Sequence, residues 1–215
     1  MSIKPTPSNQ VVGRIRAFNE AKILKAAELE FAEQGYKGAS INRIALRAKL
    51  PKANIHYYFG SKQELYLKVL ETILKLWDQS LNEFKPEDDP TVVLHKYIKD
   101  KIAFAQSHPV ASRIFAKEIL SGAPELKTYF NNDYQHWFQA RVAVIETWTQ
   151  QGKILPINPT HFIFLLWSST QHYADFEAQI LAAMGKRKLT QKDYDAASQT
   201  LIEIIFRGCG LAVPP

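Results

Sequence analysis

Between positions 52 and 57 the chain reads Lys-Ala-Asn-Ile-His-Tyr, a run of side chains suited to the edges of nucleic-acid bases. An asparagine such as Asn54 can bond adenine with both amide atoms, and Lys52 can donate to guanine. The methyl group of Ala53 can meet that of thymine, and His56 adds a further base or backbone contact. Upstream, Ser40 and Asn42 open another short helix, whose hydroxyl, amide and terminal N–H groups suit a phosphate. Tyr57, Lys62, Arg14 and Arg16 complete a set of phosphate-directed groups. Tyr57 is equally suited to packing, and Phe59 reads as core.

A second grouping lies at 161–176, H-F-I-F-L-L-W-S-S-T-Q-H-Y-A-D-F. Helical spacing puts Phe164, Trp167, Ser168 and Gln171 on one face, with His172, Asp175 and Phe176 on an adjacent strip. An indole, a hydroxyl and an amide on an otherwise apolar face suit a planar polar ligand. Ser168, His172 and Asp175 also invite a hydrolase reading, but they share one helix and lack a nucleophile elbow or oxyanion loop. His172 and Asp175 fit a core or inter-subunit hydrogen bond better than a metal site. Zinc needs three or four converging ligands, and the six histidines are scattered.

Both groupings need helices to position them. Residues 1–13 carry two prolines and read as a loose arm, closed by Arg14 and Arg16. From Phe18, with Asn19 as cap, Ile23, Ala26, Ala27, Phe31 and Ala32 form a helical stripe that Gly35 stops. Ser40 caps a second helix, and Pro51 suits the first turn of a third. Gly60-Ser61 ends that one, and Ser61 with Glu64 makes a capping box for a fourth. Two short helices joined by a tight turn in a basic segment have the layout of a helix-turn-helix. Further helices are expected at 62–84, 90–107, 109–121, 124–151, 159–184 and 190–208, with Pro90, Pro109, Pro124 and Pro159 at their starts. In the fourth, Ile73, Leu74, Trp77 and Leu81 make the apolar stripe. The fold class is therefore all-α, with about nine helices.

Charge follows the same division. Residues 1–62 hold eleven Lys and Arg against four acids, whereas the remainder is nearly neutral. Such asymmetry suggests a polyanionic partner for the first third alone. A membrane surface would satisfy the charge equally, but no Trp lies in residues 1–62 and the helix punctuation favours nucleic acid. The longest apolar run, 162–167, is six residues, far short of the roughly 20 that span a bilayer, so no membrane partner is expected. One cysteine, Cys209, makes no internal disulfide, and a polar N-terminus shows no signal peptide. Both favour a cytoplasmic location.

The run G-Y-K-G-A-S-I-N-R-I-A at 35–45, followed by K-A-N-I-H-Y-Y-F-G-S-K-Q-E-L at 52–65, resembles the signature of TetR-type repressors. The resemblance extends from Phe18 to about Val69 and places Lys62 where a phosphate contact is expected. Where the family reads Ala-Gly-Val-Ser, this chain has Ala48-Lys49-Leu50-Pro51, so the turn is expected to be kept at some strain cost or to take an altered geometry. Segments 111–124, 152–164 and 166–176 resemble the Rut-type branch, regulators of pyrimidine utilisation that respond to uracil and thymine. The resemblance implies a regulator and not an enzyme, binding a near-palindromic double-stranded operator as a homodimer through its last two helices. Leu201, Ile204, Ile205 and Gly208 would form the seam. It also implies a small-molecule effector, such as uracil or thymine, in place of any cofactor or metal. Trp77, Trp167, Thr170 and Gln171 would surround the effector, with Arg113, Glu118 and Tyr173 nearby; another nitrogen heterocycle or a hydrophobic effector stays open. On this reading 1–17 is a basic arm, 18–62 the DNA-binding domain and 63–215 the ligand-binding and dimerisation domain.

Overall fold

A computed structural model describes residues 7–213, apart from the side chains of 7–12, 76–80 and 132. The described residues hold ten helices: α1 (Pro7–Gly38), α2 (Ile41–Ala48), α3 (Lys52–Phe59), α4 (Lys62–Asn82), α5 (Pro90–Ser107), α6 (Pro109–Leu120), α7 (Asn132–Gln150), α8 (Pro159–Asp175), α9 (Glu177–Met184) and α10 (Gln191–Cys209). They form two compact units, Met1–Ile73 and Leu74–Pro215.

In the first unit, Ile23, Ala27 and Phe31 of α1, Ile44 of α2, Ile55 of α3, and Leu65 and Leu70 of α4 are all buried, and α2 packs on both α1 and α3. Tyr66 meets Phe31 edge-on, with centroids 4.7 Å apart, and stacks on Tyr36 at 4.9 Å. The expected loose arm is overturned from Pro7 onward, where the chain is already helical. Pro7 tolerates a helix start because it has no N–H to leave unpaired, and no further proline follows before Pro51. Asn19 is accordingly no cap; it lies inside α1 and donates Nδ2 to the Tyr58 hydroxyl at 3.2 Å. Gly35 breaks the helix as expected, at φ 67° and ψ 174°, a conformation that a Cβ opposes.

The second unit is built around α8, which packs on α5, α6 and α7, with α10 against α5. Its core includes Leu94, Tyr97, Ile98, Ile145, Trp148, Ile163, Leu166, Ile202 and Phe206. The turn after α4 is held by α7: Arg141 donates to the carbonyls of Leu81 and Asn82, and the Trp148 indole to that of Lys85 at 3.0 Å. Asp89 and Asn158 cap α5 and α8, each followed by a proline at the first helical position.

Three expectations change here. The helix expected from Pro124 starts at Asn132 instead, because Asn131 accepts the N–H groups of Asp133 and Tyr134 and so caps it. Residues 121–131 are turns, with Gly122 and Ala123 both at positive φ. The helix expected at 159–184 is interrupted at Phe176, at φ −114° and ψ 26°, which gives ten helices rather than nine. The stripe proposed as a seam is divided: Ile205 is buried in the unit's own core, Leu201 packs against it, and Ile204 is 63% exposed.

Candidate functional site

The turn between α1 and α2 is irregular backbone, and side chains satisfy it from three helices. Glu30 of α1, fully buried, accepts the N–H of Ser40 at 3.2 Å. It also accepts Arg43 Nε at 2.5 Å and Arg47 Nε at 3.2 Å, while Arg43 Nη2 donates to the Gly38 carbonyl at 2.5 Å. Lys62 of α4 donates Nζ to the carbonyls of Tyr36 at 2.9 Å and Ala39 at 3.2 Å, and sits over the Tyr36 ring. Ser40 takes the cap position expected of it and accepts the N–H of Asn42 at 3.2 Å.

The connection from α2 to α3 runs through Lys49, which holds a left-handed conformation at φ 52° and ψ 45°. Its N–H closes on Leu46 O, and the N–H of Leu50 on Ala45 O, both at 3.1 Å. Pro51 precedes α3 rather than sitting in its first turn. Gly60 then makes a γ-turn at φ 68° and ψ −73°, closed by the Ser61 N–H on Phe59 O at 2.7 Å. The expected capping box is present: Ser61 N–H reaches Glu64 Oε2 at 2.9 Å and Glu64 N–H reaches Ser61 Oγ at 3.1 Å.

On α3, Ile55 is buried, and Lys52, Ala53, His56 and Tyr57 are exposed, with Asn54 half-buried. That is the disposition a helix needs to present one face outward. The His56 Nδ1 lies 2.9 Å from the Gly60 carbonyl, which draws the ring toward the exit end of the helix. Arg14 and Asn42 are exposed. Arg16 pairs with Glu20 at 2.8 Å, and that hydrogen bond raises its already high pKa. Among the sequence-derived phosphate groups, Arg16 and Lys62 therefore have internal partners.

The second unit contains a cavity of about 290 Å³, lined by Leu74, Leu81, Lys101, Phe115, Ile119, Tyr129, Phe130, Tyr134, Trp137, Trp167 and Gln171. Trp167 and Gln171, one helical turn apart on α8, both reach it. Thr170, Arg113, Glu118 and Tyr173 are not among the described residues that line it. Thr170 is fully buried and bonds the Leu166 carbonyl at 2.8 Å. Arg113 pairs with Glu177 at 3.3 Å, and Glu118 is buried and accepts the Glu125 N–H at 2.7 Å. Tyr173 packs on a separate small core around Ile102, Leu189 and Tyr194. The Trp77 side chain lies outside the described residues.

Sequence reasoning missed the aromatic wall of Tyr129, Phe130, Tyr134 and Trp137. These rings follow one another at centroid distances of 4.9 to 5.5 Å. The signal was the density of aromatics at 129–138, hidden by assigning the segment to one continuous helix. Lys101, 6% exposed, was missed because a lysine on α5 reads as surface.

No catalytic triad forms on α8. Ser168 bonds the Leu165 carbonyl of its own helix, and His172 stacks on Phe176. Asp175 accepts Ser112 Oγ at 2.5 Å. Burial pushes the Asp175 carboxyl up, against the pull of Ser112, Arg113, Lys101 and His172. Among the described residues, no His, Cys, Asp and Glu cluster could hold a metal, and no helix is long and apolar enough to cross a membrane.

Comparison with known proteins agrees with both halves. Residues 23–69 match the model of bacterial regulatory proteins of the tetR family, and 70–212 match that of the YcdC-like protein C-terminal region. The chain is 36% identical over 197 residues to the HTH-type transcriptional regulator RutR of Escherichia coli K12, covering 91% of this chain and 93% of that protein. It is 31% identical over 149 residues to the HTH-type transcriptional repressor SCO4008 of Streptomyces coelicolor, covering 68% and 73%. The crystal structure of the putative transcriptional regulator SCO4942 from Streptomyces coelicolor superposes with a TM-score of 0.67 at 22% identity, over 86% of this chain and 96% of that one. The helix-turn-helix of α2 and α3, the all-helical second unit and these matches together establish that the chain belongs to the TetR family of transcriptional regulators, which are not enzymes.

Proposed function

We infer that the protein is a ligand-responsive repressor that binds a near-palindromic DNA operator as a dimer. Residues 18–62, aided by Arg14 in the first turns of α1, read the operator, and 63–215 bind the effector and dimerise. Lys52, Ala53 and Asn54 face base edges. Arg14, Ser40, Asn42 and Tyr57 hold the backbone, with His56 beside them. A near-palindrome suits two copies whose recognition helices lie roughly 34 Å apart. The exposed Phe164, Leu165 and Ile204 on α8 and α10 supply apolar surface for self-association.

The observation that carries the sensor reading is the cavity in which Trp167 and Gln171 meet an aromatic wall. An indole can stack on a flat ring while the Gln171 amide pairs with a ring amide edge. Uracil or thymine meets both demands, in keeping with the 36% identity to RutR over 91% of this chain. The test is thermal shift of the purified chain against uracil, thymine and other cyclic amides. A ligand at 100 times its Kd adds about 2.7 kcal/mol of apparent stability, and Gln171→Ala is expected to abolish the shift. No shift with any pyrimidine refutes this effector. One observation favours a second reading: the cavity is lined mainly by apolar and aromatic side chains, which suits a larger hydrophobic effector. A shift by apolar aromatic compounds that Gln171→Ala leaves intact would establish that alternative.

A further inference from the structure

We propose that Lys49 clamps a phosphate of the DNA backbone beside the recognition helix, and that a lysine stands in this left-handed position, at the cost of some strain, for that contact. The proposal rests on the DNA-binding reading above. It begins with the backbone: Lys49 is one of two non-glycine residues at positive φ among the described residues. Its structural task is to close the end of α2 through its own N–H. That task belongs to the main chain, and glycine performs it without the Cβ penalty. Nothing inside the folded chain calls for a lysine there.

The side chain points to an outside partner. Lys49 is exposed, and its ammonium makes no hydrogen bond or ion pair among the described residues. Four other cations of this unit are engaged: Arg43 and Arg47 bind Glu30, Arg16 binds Glu20 and Lys62 binds backbone carbonyls. Lys49 and the exposed Lys52 bracket Pro51, at the end of α3 from which a recognition helix reaches bases. A cation there meets the rim of the groove, where phosphates fix register. A lysine in a backbone position that favours glycine, with no folding role for its side chain, is the kind of departure that marks a working site.

The test compares full-length wild type with Lys49→Gly, Lys49→Asn and Lys49→Arg. The probe is a duplex enriched by the wild type from a random-sequence pool, with binding followed by fluorescence anisotropy between about 50 and 200 mM salt. Lys49→Gly is expected to melt about 2–4 °C higher. It should also bind roughly tenfold more weakly per bound chain near 0.1 M salt, with a slope of log K on log salt shallower by about 0.9 per chain. Lys49→Asn, uncharged and tolerant of this backbone, should lose the same affinity, and Lys49→Arg should keep it. A glycine variant with wild-type affinity and slope overturns the phosphate clamp, and one that melts below wild type overturns the strain argument. If the wild type itself shows no salt-dependent binding, the DNA-binding reading fails first.

Discussion

Replacing Glu30 by alanine should cost the first unit about 2–4 kcal/mol, more than an ordinary surface carboxylate. Glu30 is fully buried and its carboxylate joins α1 to α2 through three bonds, to Arg43, Arg47 and the Ser40 N–H. Removing one partner of a buried ion pair costs roughly 3–5 kcal/mol when the other charge is stranded. Here Arg43 and Arg47 keep side-chain exposures of 48% and 34%, and Arg47 keeps Glu33, so rehydration recovers part of the loss. Glu30→Gln preserves the shape and one acceptor and should lose only about 1–2 kcal/mol.

The same carboxylate sets a pH dependence. Burial alone pushes Glu30 up, but the Arg43 hydrogen bond, the Ser40 N–H and the two guanidinium charges outweigh it and hold it below its ordinary value of 4.5. A carboxylate depressed in the folded state adds stability above its unfolded pKa and loses it as pH falls through the folded value. The gap between wild type and Glu30→Gln should therefore be full near neutral pH and close in acid, below 4.5. Amide hydrogen exchange in α1 and α2 reads this unit directly, and urea midpoints across pH give the linkage. A loss under about 0.5 kcal/mol for alanine, the range of a neutral surface change, would refute the reasoning. So would a gap between wild type and the Glu30→Gln variant that stays constant from neutral to acid pH.

Two further outcomes follow from the same unit. Gly60→Ala puts a Cβ 2.1 Å from Glu64 Oε2 at φ 68°, straining the γ-turn and displacing the capping box. Thermal melts should show a loss of about 2–3 kcal/mol, from the left-handed backbone and the damaged cap together. Lys62→Met removes the ammonium from the carbonyls of Tyr36 and Ala39. It should destabilise by about 1.5–3 kcal/mol, seen as faster exchange around residues 36–40. Unchanged stability with a shallower salt slope would instead make Lys62 a phosphate ligand.

Local rules carried most of the secondary structure. Ser40, Ser61 with Glu64, Asp89-Pro90 and Asn158-Pro159 announce helix starts because capping depends on atoms two or three residues apart. The turn at Lys49 was legible through the family's Ala-Gly-Val-Ser, and the structure settles its geometry as the left-handed conformation that ends α2. Trp167 and Gln171 could be paired because four residues make about one helical turn. The tertiary structure decided what depends on groups far apart in the chain. Sequence could count the cations of residues 1–62, but only the fold shows Arg43, Arg47 and Lys62 held by Glu30 and the carbonyls after Gly35. Likewise Ile204 and Ile205 are equally apolar, yet one is exposed and the other buried, because the packing of α10 on α5 chooses the inward face. The cavity arises where the rings at 129–137 meet Trp167 and Gln171 of α8, a closure that no spacing rule along one helix encodes.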